Sequence, residues 1–305
     1  MLRKFLFSLS LMSATLVFAE PVKVMTSFSI LGDVTRQIGG DKVEVSEIVK
    51  ANQDMHIYRI TPQDAKRLQN VQLILLNGKG FESNEFVKAA KAANVPVILA
   101  SNHIESVRRD DEHQHEHAHE HEHEHHHEHA HHHHGGDDPH VWQDPVFMKQ
   151  YSRNIADALS KVDPKNKDYY SSKLKKYQQQ LDDLDALAQQ SFAHIPQDKR
   201  KVLTSHDSFA YFGARYQVKF LAPQGVAEDS EPSAKQMAEI IRTVKKENIR
   251  AVFIENISNP KLLNRLSQET GVAVTGKLYS DALPENGSYV EMMKHNIETL
   301  SKAMK

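Results

Sequence analysis

Histidine carries most of the chemistry this sequence could do. Twenty of its 305 residues are histidine and none is cysteine, so transition-metal binding must run through imidazole and carboxylate rather than thiolate. Fourteen histidines crowd one stretch: His113, His115, His117, His119, His121, His123, His125, His126, His127, His129, His131, His132, His133 and His134. Glutamates such as Glu116, Glu120, Glu122, Glu124 and Glu128 are interleaved with them, a dense but irregular set of ligands. The stretch has almost no apolar side chain to bury, so disorder is expected over 110–136. Flexible ligands lose ordering entropy with each ion, so several ions should be held loosely. Three plainer readings compete. An expression tag would not be internal and mixed with glutamate, a solvated spacer does not require imidazole, and a pH-responsive tract would titrate near pH ~6.5. Metal binding is favoured, but a tight site must lie elsewhere.

Six histidines stand outside that tract, and three sit in contexts suited to ligands. His56 lies in Gln53-Asp54-Met55-His56-Ile57-Tyr58, His140 in Asp138-Pro139-His140-Val141-Trp142 and His206 in Thr204-Ser205-His206-Asp207. Each falls in a loop from a strand toward a helix, where ligands of open α/β sheets collect. Singly, each is only suggestive, because a lone loop histidine is commonly solvated. His103, His194 and His295 read as solvated or locally hydrogen-bonded. Trp142 reads as packing beside His140, and Met292-Met293 as core filling on the last helix.

The elements that must position these residues alternate. Short apolar runs at 22–28, 43–49, 71–76 and 95–99 read as strands, followed in the second half by 201–205, 218–221, 251–254 and 272–277. Thr61-Pro62 opens a helix, with Asp64 in its positive first turn. Ser233 with Gln236 forms a capping box, and the helix after Asn259-Pro260 ends at Gly271. This order predicts α/β lobes with mainly parallel sheets flanked by helices. Between the halves, Tyr170, Leu174, Tyr177, Leu181, Leu184 and Ala188 mark one face of a helix. At about 28 residues it would span about 42 Å. The expected organisation is an N-terminal lobe over 20–162, a rigid linker helix over 163–195 and a C-terminal lobe over 196–305.

Arg3 and Lys4 precede an apolar run over 5–18, and Val17-Phe18-Ala19 offers a cleavage site before Glu20. This reads as a secretory signal peptide over 1–19, since the run is too short to span a membrane. Absence of cysteine removes the usual residue for a bacterial lipid anchor and any disulfide, which points to a periplasm. With 40 acidic and 38 basic residues, nothing suggests a nucleic-acid partner.

Taken together these segments resemble the metal-specific solute-binding proteins of ABC importers, the zinc and manganese class with two lobes joined by one long helix. The resemblance is carried by His56-Ile57-Tyr58 with Thr61-Pro62, by Asn77-Gly78 with Gly80 and Glu82, and by Asp138-Pro139-His140-Val141-Trp142. Thr204-Ser205-His206-Asp207, Glu231-Pro232-Ser233 and Leu278-Tyr279-Ser280-Asp281 extend it over nearly all of the chain after the leader. It implies that His56 and His140 from one lobe meet His206 and Asp281 from the other around a single ion. It also implies a partner ABC-type permease in the inner membrane, a monomeric carrier, and a histidine-rich loop just before the second ligand. Two departures stand out: Arg59 sits where the family usually has an acidic residue, and the disulfide of some zinc members is impossible here. Manganese members typically carry a carboxylate at the third position; His206 there gives three nitrogens and one carboxylate, which suits Zn²⁺ better than Mn²⁺.

A zinc hydrolase is the alternative of another class, with Glu255 as general base. Asp281 would close the coordination position that such an enzyme keeps open, so Glu255 is instead expected to orient a ligand histidine from behind. A periplasmic buffer or chaperone, or a surface adhesin, would share the binding chemistry. The strut limits hinge bending, so release by a modest shift, such as of the loop bearing Asp281, is expected.

Overall fold

The computed structural model describes residues 20–106, 137–223, 233–249 and 251–305. The leader, the fourteen-histidine tract and Glu231-Pro232 therefore lie outside the described residues.

The first lobe runs β1 (Val22–Phe28), α1 (Ser29–Gly39), β2 (Val43–Val49), α2 (Pro62–Leu68), β3 (Leu73–Leu76), α3 (Asn84–Lys91) and β4 (Val97–Leu99). Its sheet has the order β2-β1-β3-β4 with every pairing parallel. All four side chains of β3 are buried, as expected of a parallel strand covered on both faces. Thr61 caps α2 and Pro62 occupies its first turn, as the sequence indicates, and Asp64 completes a reciprocal box with Thr61.

Two helices follow, the first packed on α1 and β3 of this lobe. α4 (Pro145–Val162) is followed by α5 (Lys167–Phe192), the expected long helix. Its 26 residues span about 39 Å. Tyr170, Tyr177, Leu181, Leu184, Ala188 and Phe192 are its buried stripe, while Leu174 is only partly covered.

The second lobe repeats the first: β5 (Lys201–Leu203), α6 (Ala210–Tyr216), β6 (Lys219–Leu221), α7 (Ala234–Lys246), β7 (Ala251–Glu255), α8 (Lys261–Thr270), β8 (Val274–Leu278) and α9 (Tyr289–Met304). Its order β6-β5-β7-β8 is that of the first sheet, and again wholly parallel. Ser233 and Gln236 form the expected box on α7, and Gly271 ends α8 with φ of 75°, a conformation glycine adopts without Cβ strain. β5 stops two residues short of the expected end because the Ser205 and His206 amides turn to the Glu255 carboxylate instead of the ladder.

The apolar core does not break between the lobes. One continuous cluster runs from β1 through α4 and α5 to Ile297, Leu300 and Met304 of α9, with a smaller cluster beneath α7 and α8. α9 explains this, because it packs along α5 and touches α1. The Tyr289 amide at its first turn donates to Asp33 Oδ2 of α1, 2.8 Å away. Met292 and Met293 lie in this core, as read from sequence. In both sheets the two central strands send their carboxyl ends toward the same seam, and the candidate ligands gather there. Among the described residues, no helix is long and apolar enough to cross a membrane.

Candidate metal centre

His56 comes from the loop after β2. Asp54 Oδ1 accepts its backbone N–H at 2.7 Å, and Tyr58 OH donates to Asp64 Oδ2 at 2.7 Å, which ties the loop to the α2 cap. The Asn52 amide donates across the seam to the Leu283 carbonyl at 3.0 Å.

His140 is fully buried at the entrance to α4. Asp138 Oδ1 lies 2.9 Å from its backbone nitrogen and 2.7 Å from Nδ1. Asp144 then caps α4 by accepting from the Val146 amide, with Pro145 in the first turn. His206 is the counterpart in the other lobe. Glu255 Oε1 accepts the amides of Ser205 and His206 at 2.8 and 3.0 Å, and Glu255 Oε2 lies 2.7 Å from His206 Nδ1. A carboxylate on Nδ1 holds the proton there and turns Nε2 to an ion.

Asp281 follows β8 and closes the group. Its Oδ2 lies 3.0 Å from His56 Nε2, 3.1 Å from His206 Nε2 and 3.5 Å from His140 Nε2. One ligand atom from each of the four residues falls within 4.8 Å of all the others. Donors about 2.0–2.1 Å from one tetrahedral ion would stand about 3.3 Å apart, which the three contacts of Asp281 bracket. His140 Nε2 and Asp281 Oδ1 are buried with no hydrogen-bond partner. Such atoms are costly to leave unsatisfied, and a cation between them removes that cost.

The electrostatics point the same way. Burial alone would push His140 toward neutrality, but the charges of Asp281 and Asp138 raise its pKa to about 9. Burial disfavours charge on His206 too, yet Glu255 and Asp281 hold its pKa well above the usual imidazole value. Asp281 is pushed up by burial, and His140 with His206 nonetheless hold it well below the carboxylate range. The surrounding carboxylates thus favour positive charge at His140 and His206, the charge that an ion would bring.

The backbone around Asp281 is tied to both lobes. Trp142 Nε1 and Gln143 Nε2 both donate to the Ser280 carbonyl, at 2.8 and 2.9 Å. Asn256 Nδ2 donates to Ala282 O, and the Leu283 amide to Ser29 Oγ. Trp142 therefore does more than pack beside His140, where its ring lies 5.2 Å away.

The four residues singled out by sequence and resemblance are thus brought together, and Glu255 stands behind His206. Both Glu255 oxygens are taken up with Ser205, His206 and Ser208, the contacts of a residue that orients His206. His103, His194 and His295 lie apart and exposed; His295 Nε2 is 2.8 Å from the Lys277 carbonyl. Arg59 is also exposed. Asp138 and Phe81 are the residues that sequence reading passed over. An Asp-x-His pattern is repeated at Asp54-Met55-His56 and Asp138-Pro139-His140, and it was the available signal for Asp138. The tract histidines from His113 to His134 lie outside the described residues, but its flanks, Ser106 and Asp137, both meet Lys79 Nζ, at 2.7 and 3.6 Å.

Two matched parallel-sheet lobes with a buried cluster of three imidazoles and one carboxylate at their seam define a binding protein for a metal cation. The chain belongs to the family described as zinc-uptake complex component A, periplasmic (ZnuA), whose profile matches residues 24–303. It is similar to the manganese ABC transporter substrate-binding lipoprotein PsaA of Streptococcus pneumoniae, at 29% identity over 297 residues, covering 94% of this chain and 90% of that one. Among solved structures it resembles the periplasmic zinc binding protein TroA from Treponema pallidum, with a TM-score of 0.82 and 26% identity over 93% of this chain and 99% of the other. A crystal structure of ZnuA matches with a TM-score of 0.77 and 26% identity, covering 94% and 100%. The chain is accordingly a metal-binding component of an ABC importer.

Proposed function

We propose that this protein captures Zn²⁺ in the periplasm and delivers it to an ABC-type permease in the inner membrane. The observation that carries the reading is the donor set: three imidazole nitrogens converge with one carboxylate at the seam. Imidazole suits Zn²⁺, whose d¹⁰ shell accepts tetrahedral coordination without penalty. His56, His140, His206 and Asp281 are the proposed ligands, with Glu255 and Asp138 orienting His206 and His140. In this reading a leader ends at Ala19, lobes over 20–162 and 196–305 flank the linker over 163–195, and the protein acts as a monomer. The tract histidines hold further ions weakly and raise the local concentration.

Manganese is the second reading, favoured by the names of the curated relatives, several of which are manganese lipoproteins. A buffer or chaperone without an importer would bind metal in the same way, and growth separates it from a carrier. Cells lacking this protein should fail to grow under zinc chelation and recover with added Zn²⁺ but not Mn²⁺. Unchanged growth would count against uptake.

A further inference from the structure

We infer that Glu82 is a further positioning residue for both ligands of the N-terminal lobe, acting through the loop over 77–82 and beside the direct contacts of Asp138 and Asp54; this rests on reading His56 and His140 as ligands. The Asn77-Gly78-x-Gly80-x-Glu82 run connects β3 to α3, and none of its side chains belongs to the four-residue centre.

Glu82 is buried, at 4% exposure. Its Oε1 accepts from Ser27 Oγ and from the Asn77 amide, both at 2.6 Å, and its Oε2 from the Gly78 amide at 3.0 Å. One carboxylate thus gathers the end of β1, the end of β3 and the start of the loop. The loop needs such a tie. Gly78, Lys79 and Gly80 have successive φ values of 91°, 52° and 75°, and at Lys79 this left-handed backbone strains a residue that carries a Cβ. Held this way, the loop reaches both ligands. Asn77 Nδ2 donates to the Pro139 carbonyl at 3.0 Å, one residue before His140, and Tyr151 OH donates to Asn77 Oδ1 at 3.1 Å, fixing the direction of the amide. Phe81 sets its ring edge-on at 5.1 Å from His56 and 4.9 Å from Trp142, with His140 at 6.3 Å.

Glu82→Gln keeps the shape but replaces one acceptor with an N–H₂ group facing a backbone N–H. The Gly78 amide loses its partner if the remaining oxygen keeps Ser27 and Asn77. The experiment measures Zn²⁺ affinity by competition with a chelator, and the visible Co²⁺ spectrum, for the full chain, Glu82→Gln, His140→Ala and the double variant. The expected result is a roughly 10- to 100-fold loss of affinity in Glu82→Gln with an altered Co²⁺ spectrum. In the His140→Ala background the further loss should be clearly smaller, because residues acting through one another are not additive. Wild-type affinity and spectrum in Glu82→Gln, or a loss that adds in full, would overturn the inference. If Glu82→Gln does not fold, Ser27→Ala removes one donor to the same carboxylate and should weaken Zn²⁺ in the same direction; no change there would also overturn it. Failure of the ligand reading is distinguishable, since the unaltered chain and His140→Ala would then bind Zn²⁺ alike.

Discussion

His140 and His206 sit in opposite lobes yet have nearly the same surroundings, whereas His56 shares little with either. Each of the first two is fully buried, with a carboxylate oxygen 2.7 Å from Nδ1, from Asp138 in one case and Glu255 in the other. In both, the same carboxylate also takes the histidine's backbone N–H. His56 keeps the backbone bond, through Asp54, but its ring is steadied by the edge of Phe81. Its side chain is 7% exposed, and next to it Ile57 is 62% exposed. The contrast separates two ways of holding a ligand: a charged partner that fixes tautomer and direction, and packing that fixes direction alone.

Removing whole ligands should have the largest effect. His140→Ala and His206→Ala should each lower Zn²⁺ affinity by more than the roughly 100-fold upper end for loss of an outer partner, read by chelator competition. His56→Ala should lose less than either, because water can occupy a corner that opens toward the surface. Equal losses at all three positions would erase the distinction.

The next effect concerns the carboxylates. Asp138→Asn and Glu255→Gln should each lower affinity roughly 10- to 100-fold. Asp54→Asn should lose less, since Asp54 meets the backbone of His56 and not its ring. An Asp54→Asn defect as large as the other two would contradict the division.

Smallest in free energy, and directly measurable, is the proton balance. Without an ion, His140 has its pKa raised to about 9 and His206 is also raised, largely by opposed carboxylates. Both are therefore protonated near pH 7, and zinc must displace those protons. Binding should release protons at pH 7, visible as a calorimetric enthalpy that varies with buffer ionisation, and affinity should rise with pH toward about 9. For the metal-free protein the sign reverses. A histidine with raised pKa stabilises the fold below its unfolded value of ~6.5 and loses that contribution as pH climbs through about 9. Its thermal stability in chelator should thus fall across that window.

Much of this arrangement could be read from sequence, for identifiable reasons. The long stripe from Tyr170 to Ala188 and the caps at Thr61, Ser233 and Gly271 are local patterns, and local patterns survive folding. His56, His140 and His206 declared themselves by lying outside the tract in strand-to-helix loops. Asp281 did not: it stands 225 residues from His56, and only the family resemblance singled it out among many loop carboxylates. The contact of Asp138 with the His140 ring is not legible in the chain, because an aspartate before proline is equally a turn residue. The continuous core escaped notice because it depends on α9 returning to α1 and α5, a contact that leaves no period in the chain.

The most direct measurement is competitive titration of Zn²⁺ and Mn²⁺ into the protein lacking 110–134, monitored by calorimetry against a chelator. One tight Zn²⁺ per chain, undisturbed by excess Mn²⁺, is the predicted result, because the three imidazoles and Asp281 remain intact without the tract. Preferential Mn²⁺ binding would contradict the zinc reading. Loss of the tight site with the tract would contradict the assignment of His56, His140, His206 and Asp281 themselves.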